Sequence, residues 1–136
     1  MKVYVDTNVL IDFVCQREEF AGPANCLMAL GCMGKVQLQT LSLSYVTAMF
    51  VAQKYNRQNV AESLLFVSEF VEILDLRAKT VVEMLSSGWK DYEDATQHAT
   101  AIIANADCII TRNPKDFTDS SLPVYSVGGL LGILGL

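Results

Sequence analysis

The chain has 136 residues, 51% of them hydrophobic and 18% charged, which fits one domain with a real core and excludes a disordered chain. Ten basic against fifteen acidic residues leave a net charge of −5. That balance argues against a general, charge-driven nucleic-acid binder but not against a nuclease with a few basic residues around an acidic centre.

Taken in order, residues 2–5 form a short apolar run that reads as a buried strand. Pro23 starts a helix whose apolar positions Ala24, Leu27, Met28 and Gly31 follow the 3.6-residue period, and Gly34 closes it. Residues 36–40 read as a second strand. Ser42 or Ser44 then caps a helix running to about Tyr55. Asn59 and Glu62 have the spacing of a capping box, and Leu64, Val67 and Val71 continue the apolar stripe behind it. Residues 72–74 read as a strand. Ala78, Val81, Val82 and Leu85 make a further amphipathic helix, stopped by Gly88. A helix follows over about 91–104, then strands at 108–111 and 124–125. Short apolar strands separated by helices predict an α/β fold with a central parallel sheet of four or five strands and helices on both faces. The whole of 1–136 is expected to be a single domain.

The four cysteines, Cys15, Cys26, Cys32 and Cys108, include no Cys-x-x-Cys pair, and His98 is the only histidine. A thiolate or imidazole metal centre is therefore not expected. The first apolar run ends at Asp6, unlike a secretory signal, and no window reaches the roughly 18 apolar residues of a membrane span. The apolar tail over 128–136 is too short and too Gly-rich to cross. These features predict a soluble, cytoplasmic protein with reduced thiols and no membrane partner.

In parallel sheets ligands bind beyond the carboxyl ends of the strands, where the strand order reverses. Asp6, directly after the first strand, faces that crevice, but it is equally well placed to cap the next helix. Asp12 reads as a surface or capping charge. Asp91, Glu93 and Asp94 lie at a helix start, where the macrodipole favours acids. Periodicity puts Asp91 and Asp94 with Ala95, His98, Ala99 and Ile102 on the inward face, and Glu93 with Gln97 and Thr100 on the outward one. An inward carboxylate is costly unless it is paired or binds a metal, which makes Asp94 the leading acid of this helix, with Asp91 at the rim. His98 reads as a satisfied core residue. After the fourth strand, Thr111, Arg112, Asn113, Lys115 and Asp116 bring basic, amide and acidic groups to one loop, suited to phosphate beside a metal; the plainer reading is a polar turn around Asn113-Pro114. Oxygen-only donors such as Asp6, Asp94 and Asp116 suit Mg²⁺ or Mn²⁺.

Three segments together resemble the PIN-domain family, and within it the VapC-like toxin ribonucleases. They are Val3-Tyr4-Val5-Asp6-Thr7-Asn8-Val9-Leu10-Ile11-Asp12, Asp91-Tyr92-Glu93-Asp94-Ala95, and Asp107-Cys108-Ile109-Ile110-Thr111-Arg112-Asn113-Pro114-Lys115-Asp116-Phe117. The resemblance implies a three-layer α/β/α sandwich and a Mg²⁺- or Mn²⁺-dependent endoribonuclease. It also implies an RNA substrate, an antitoxin partner and a homodimer. On this resemblance Asp6 and Asp94 hold the metal, Asp116 or Asn113 completes its shell, and Asp91 orients a water. Arg112 and Lys115 contact phosphates, with Thr111 and Thr47 beside the substrate. The family usually carries a Glu early in the helix after the second strand, where this chain has Thr47, and often an Asp where it has Asn113. With fewer acids, a PIN-fold module that binds RNA or a partner protein without cleaving is the alternative. A phosphotransferase of the haloacid-dehalogenase kind is disfavoured by Asn8, which stands where that class needs a second Asp. A receiver domain is disfavoured by the missing acid pair near the first strand and the missing lysine after the last.

Overall fold

The computed structural model describes residues 1–55 and 58–136. Five strands form one parallel sheet: β1 (Lys2–Val5), β2 (Gln37–Leu41), β3 (Val71–Leu74), β4 (Cys108–Ile110) and β5 (Val124–Tyr125), in the spatial order β3-β2-β1-β4-β5. The chain runs outward from β1 through β2 to β3, then returns to lay β4 on the other side of β1. The strand order thus reverses between β1 and β4, which opens a crevice at their carboxyl ends. Val3 pairs with Cys108 and Val5 with Ile110. Seven helices flank the sheet among the described residues: α1 (Thr7–Cys15), α2 (Ala21–Cys32), α3 (Ser42–Lys54), α4 (Val60–Ser68), α5 (Ala78–Met84), α6 (Tyr92–Ile103) and α7 (Val127–Leu134). A 3₁₀ turn, Pro114–Phe117, follows β4. The expected strands, the parallel sheet and its flanking helices are all present.

β4 and, after Lys2, β1 are apolar and buried because helices cover both faces, as buried parallel strands require,. One core packs Val3, Val5, Leu10, Leu27, Leu38, Ile110 and Leu130 beneath α1, α2 and α7; the other packs Tyr4, Leu41, Ala101, Ile109 and Phe117 beneath α6. The stripe Ala24, Leu27, Met28, Gly31 of α2 is buried as its period predicts. Gly34 and Gly88 adopt φ +73 and +78, the left-handed turns that end α2 and α5,.

Several local expectations change. The serine caps of α3 do not form: its N-cap position is Leu41, and Ser44 turns inward instead. Asn59 precedes α4 in the left-handed region without a side-chain cap, so no capping box forms, and Val71 opens β3 rather than extending the stripe of α4. On α5 the apolar Val81, Val82 and Leu85 are exposed while Thr80 is buried. The apolar tail is helix α7, capped by Ser126 Oγ accepting from Gly129 N–H at 3.0 Å. Among the described residues no helix is long and apolar enough to cross a membrane.

Candidate metal centre and nucleic-acid site

Asp6 emerges from β1 at the reversal point, its backbone N–H donating to Ile110 O at 2.9 Å. It occupies the N-cap position of α1 but makes no side-chain cap bond, so the capping reading gives way. Its carboxylate is instead held between two elements remote in sequence. Gln97 Nε2 of α6 donates to Oδ1, and Thr111 Oγ1 after β4 donates to Oδ2, each at 2.8 Å. Asp6 is only 5% exposed. Burial pushes its pKa up, and the bonds from Gln97 and Thr111 work against that push,.

Gln97 is the hub of the site. It is fully buried. Its Oε1 accepts from Thr7 N–H at 3.1 Å, from Thr7 Oγ1 at 3.2 Å and from Tyr4 OH at 3.2 Å. Thr7 Oγ1 also lies 2.6 Å from Ser44 Oγ of α3. One amide therefore ties β1, the start of α1 and α6 to the carboxylate. This corrects the expected outward face of α6. The helix buries Ala95, Thr96, Gln97, Thr100 and Ala101, whereas Ile102 is exposed and His98 only half-buried. The threonines satisfy themselves on the preceding turn, Thr96 donating to Tyr92 O at 2.7 Å and Thr100 to Thr96 O at 2.8 Å, so the polar residues are buried without loss. Glu93, one turn before Gln97, is exposed as expected, yet it lies near enough to Asp6 and Thr7 to interact with both. Burial and the Asp6 and Asp91 charges raise its pKa, against a bond from Thr7.

Asp91 caps α6, its Oδ1 accepting from Asp94 N–H at 3.0 Å. Asp94 is half-buried and its pKa is pushed up to about 7, first by burial and then by Asp91, Asp6, Asp116 and Glu93. The charges of Asp6 and Asp116 thus act on Asp94, and Asp94 and Asp116 border one cavity. Asp116 is exposed on the 3₁₀ turn. Asn113 donates its backbone N–H to Thr111 Oγ1 at 3.1 Å, so it orients the hydroxyl that holds Asp6. Thr47 lies half-buried about one turn beyond Ser44 on α3.

A cavity of about 510 Å³ opens beside Asp91, Asp94 and Asp116, with Trp89, Lys90 and Lys115 also in its wall. Among the described residues the ion pairs are Arg17–Asp12, Lys79–Glu83 and Arg112–Asp12. None compensates the acid cluster. Nor, among the described residues, do three His, Cys, Asp or Glu side chains converge tightly enough to cage an ion by themselves. The donor chemistry nevertheless fits a hard divalent cation: oxygen atoms only, and carboxylates that repel one another and are ion-paired to no lysine or arginine among the described residues,.

Asp12 is the second correction. It is 1% exposed, not a surface charge. Its Oδ2 lies 2.8 Å from Arg112 Nε and its Oδ1 3.5 Å from Arg17 Nη1. The Arg112 guanidinium also stacks on Phe20, 3.9 Å from the ring centroid. Arg112 is thus committed inward, and Lys90 and Lys115 are the cations that line the cavity. Sequence reading missed Gln97, Ser44 and Lys90. The only available signal for Gln97 was its spacing, one turn after Glu93 and three residues after Asp94.

A family model described as a PIN domain matches residues 2–115. The chain belongs to the PIN-domain family. Among curated protein sequences none matches this PIN domain. Solved structures share its fold. A toxin–antitoxin complex from Klebsiella pneumoniae is 24% identical with a TM-score of 0.65, covering 92% of this chain and 97% of that one. VapBC2 from Rickettsia felis, bound to a promoter DNA fragment, is 19% identical with a TM-score of 0.67, covering 93% and 98%. VapC20 from Mycobacterium tuberculosis, a toxin that cleaves the sarcin-ricin loop, is 15% identical with a TM-score of 0.62, covering 79% and 86%.

Proposed function

We propose that this PIN domain is a Mg²⁺- or Mn²⁺-dependent endoribonuclease that hydrolyses RNA phosphodiester bonds, acting as the toxin of a toxin–antitoxin pair. The observation that carries the reading is Asp6, a buried carboxylate fixed by neutral donors at the β1–β4 reversal, whose charged neighbours include Asp94 and Asp116. Family membership and the VapC and VapBC neighbours support the same reading.

Asp6 and Asp94 would hold the ion, with Asp116 or Asn113 completing its shell. When bound, the ion supplies a deprotonated water and polarises the phosphodiester. The protein's own groups do the rest. Gln97 and Thr111 fix the Asp6 carboxylate so that its remaining lone pairs face the crevice. Asp91 is placed to orient a water beside Asp94. Lys115 and Lys90 meet the phosphates that flank the cleaved bond. Titrating wild type and Asp6→Ala with Mn²⁺ by calorimetry, with RNA cleavage followed in parallel, tests this reading. Binding and cleavage are expected in wild type and neither in the variant. Cleavage by Asp6→Ala at the wild-type rate overturns the mechanism.

A second reading, a module that binds RNA or a partner without cleaving, is favoured by α3. It offers the hydroxyls of Ser44 and Thr47 to the crevice side and no acid. Metal binding without cleavage of any RNA would decide for it. For the antitoxin and the homodimer, the support is apolar surface: Val46 and Phe50 on α3 and Leu65 and Phe66 on α4 are exposed. Sedimentation of the isolated chain at high concentration as a monomer would count against self-association.

A further inference from the structure

The cavity over the acids has an aromatic wall that the cleavage chemistry does not use. Trp89 is half-buried and borders the cavity beside Asp91, Asp94 and Lys115. Behind it, the ring of His98 lies 4.9 Å away, tilted by 32°, and Phe117 meets it edge-on at 6.1 Å. His98 is itself fixed, because Ser121 N–H donates to its Nε2 at 3.1 Å. Burial lowers its pKa. The short segment that carries Trp89 is anchored by Gly88 at φ +78 on one side and by Ser87 Oγ, which accepts from Trp89 N–H at 3.2 Å. Trp89 is therefore a preset ring with little motion left to lose on contact with a ligand. Two lysines, Lys90 and Lys115, stand in the same wall, and neither is ion-paired among the described residues.

A flat, fixed aromatic surface in one wall with two ammonium groups that make no ion pair among the described residues matches an unstacked base with its adjacent phosphates,. A paired base within a duplex cannot present its face this way, because its neighbours already cover it. We propose that Trp89 is the stacking platform for one splayed base of single-stranded RNA, with Lys90 and Lys115 on the adjacent phosphates, so that the phosphodiester next to that base is brought to Asp6 and Asp94. This rests on the ribonuclease reading above and names the form of RNA the site accepts. Because stacking tolerates every base, the platform selects strand state rather than sequence.

Trp89 is the only tryptophan in the chain, so its emission reports the contact directly. The test titrates the full chain in Mg²⁺ buffer with a short single-stranded homopolymer RNA. A duplex of equal length and an abasic oligomer carrying the same phosphates serve as controls. Saturable quenching by the single strand, and little by either control, is expected. Anisotropy of labelled RNA should show Trp89→Ala weakening binding about tenfold. Trp89→Phe should stay within about threefold of wild type, and thermal melting confirms that both variants fold. Two results overturn the platform while leaving the nuclease reading intact: RNA binding by anisotropy with no change in Trp89 emission, and wild-type affinity in a folded Trp89→Ala. Absence of both RNA binding and cleavage overturns the nuclease reading and the platform with it.

Discussion

Two buried aspartates, one just before α1 and one within it, have opposite surroundings. Asp6 and Asp12 are 5% and 1% exposed. Asp12 lies between Arg17 and Arg112, two guanidiniums that answer its charge from within the chain. Asp6 has only neutral donors, an amide and a hydroxyl, and its charged neighbours are acids. Burial pushes both carboxyls up, but at Asp12 arginine charges oppose the push, while at Asp6 hydrogen bonds alone do so,. A carboxylate supplied with its own cations is part of the framework. One that is positioned but left uncompensated keeps its charge for something brought from outside.

The largest effect that sharpens this contrast is on activity. Asp6→Asn keeps a similar shape and should lower kcat/KM about a thousandfold, the scale of several kcal/mol lost from metal-assisted charge stabilisation. Urea unfolding should show its stability equal to or above wild type, because one member of a repelling set is gone. Asp12→Ala should do the reverse, costing about 3 kcal/mol in urea unfolding. That is the low end for an uncompensated buried pair, since Arg17 and Arg112 side chains keep 28% and 24% of their surface exposed,. An Asp12→Ala protein as stable as wild type would dissolve the distinction.

Gln97→Leu stands between the two and should affect both readouts. Removing the amide leaves Thr7 N–H and one Asp6 oxygen unanswered in a buried place, for about 1–3 kcal/mol of stability. Cleavage should fall through loss of Asp6 orientation, chiefly in kcat.

The smallest effect is on pH dependence. In the folded protein Asp94 keeps its proton up to about pH 7, whereas the ordinary carboxyl value is 3.8. The folded state then binds more protons than the unfolded one between these values. Its contribution to stability is complete below about pH 4 and is lost as pH rises towards 7. With chelator present, thermal stability should therefore decline from pH 5 to 7.5, and Asp94→Asn should flatten that decline. Mg²⁺ should restore stability most at the upper end, where the carboxylates are ionised. A decline of equal slope in Asp94→Asn would assign it to other groups.

The strands, the parallel sheet and the position of Asp6 at its edge were legible because apolar runs and strand ends leave a local signal. The buried face of α6 was not. Of the apparent stripe Ala95, Ala99 and Ile102 only Ala95 is buried, and the true inward face adds Thr96, Gln97, Thr100 and Ala101. Hydropathy patterns assume that polar groups seek water, and these instead find partners in Asp6, Tyr4, Thr7 and the helix backbone. Asp12 failed for the same reason, its two arginines lying 5 and 100 positions away in sequence. The exposure of Val81, Val82 and Leu85 is the converse, apolar residues left uncovered by this chain.

The two bonds on the Asp6 carboxylate also set when the site can exist during synthesis. Asp6 leaves the ribosome well before its partners Gln97 and Thr111, which lie 91 and 105 residues later. β1 has no β4 beside it until residue 110 has emerged, and non-local pairing of this kind forms late. A half-made chain therefore exposes the acid without the amide and hydroxyl that aim it. The crevice is assembled only once residue 111 has left the ribosome.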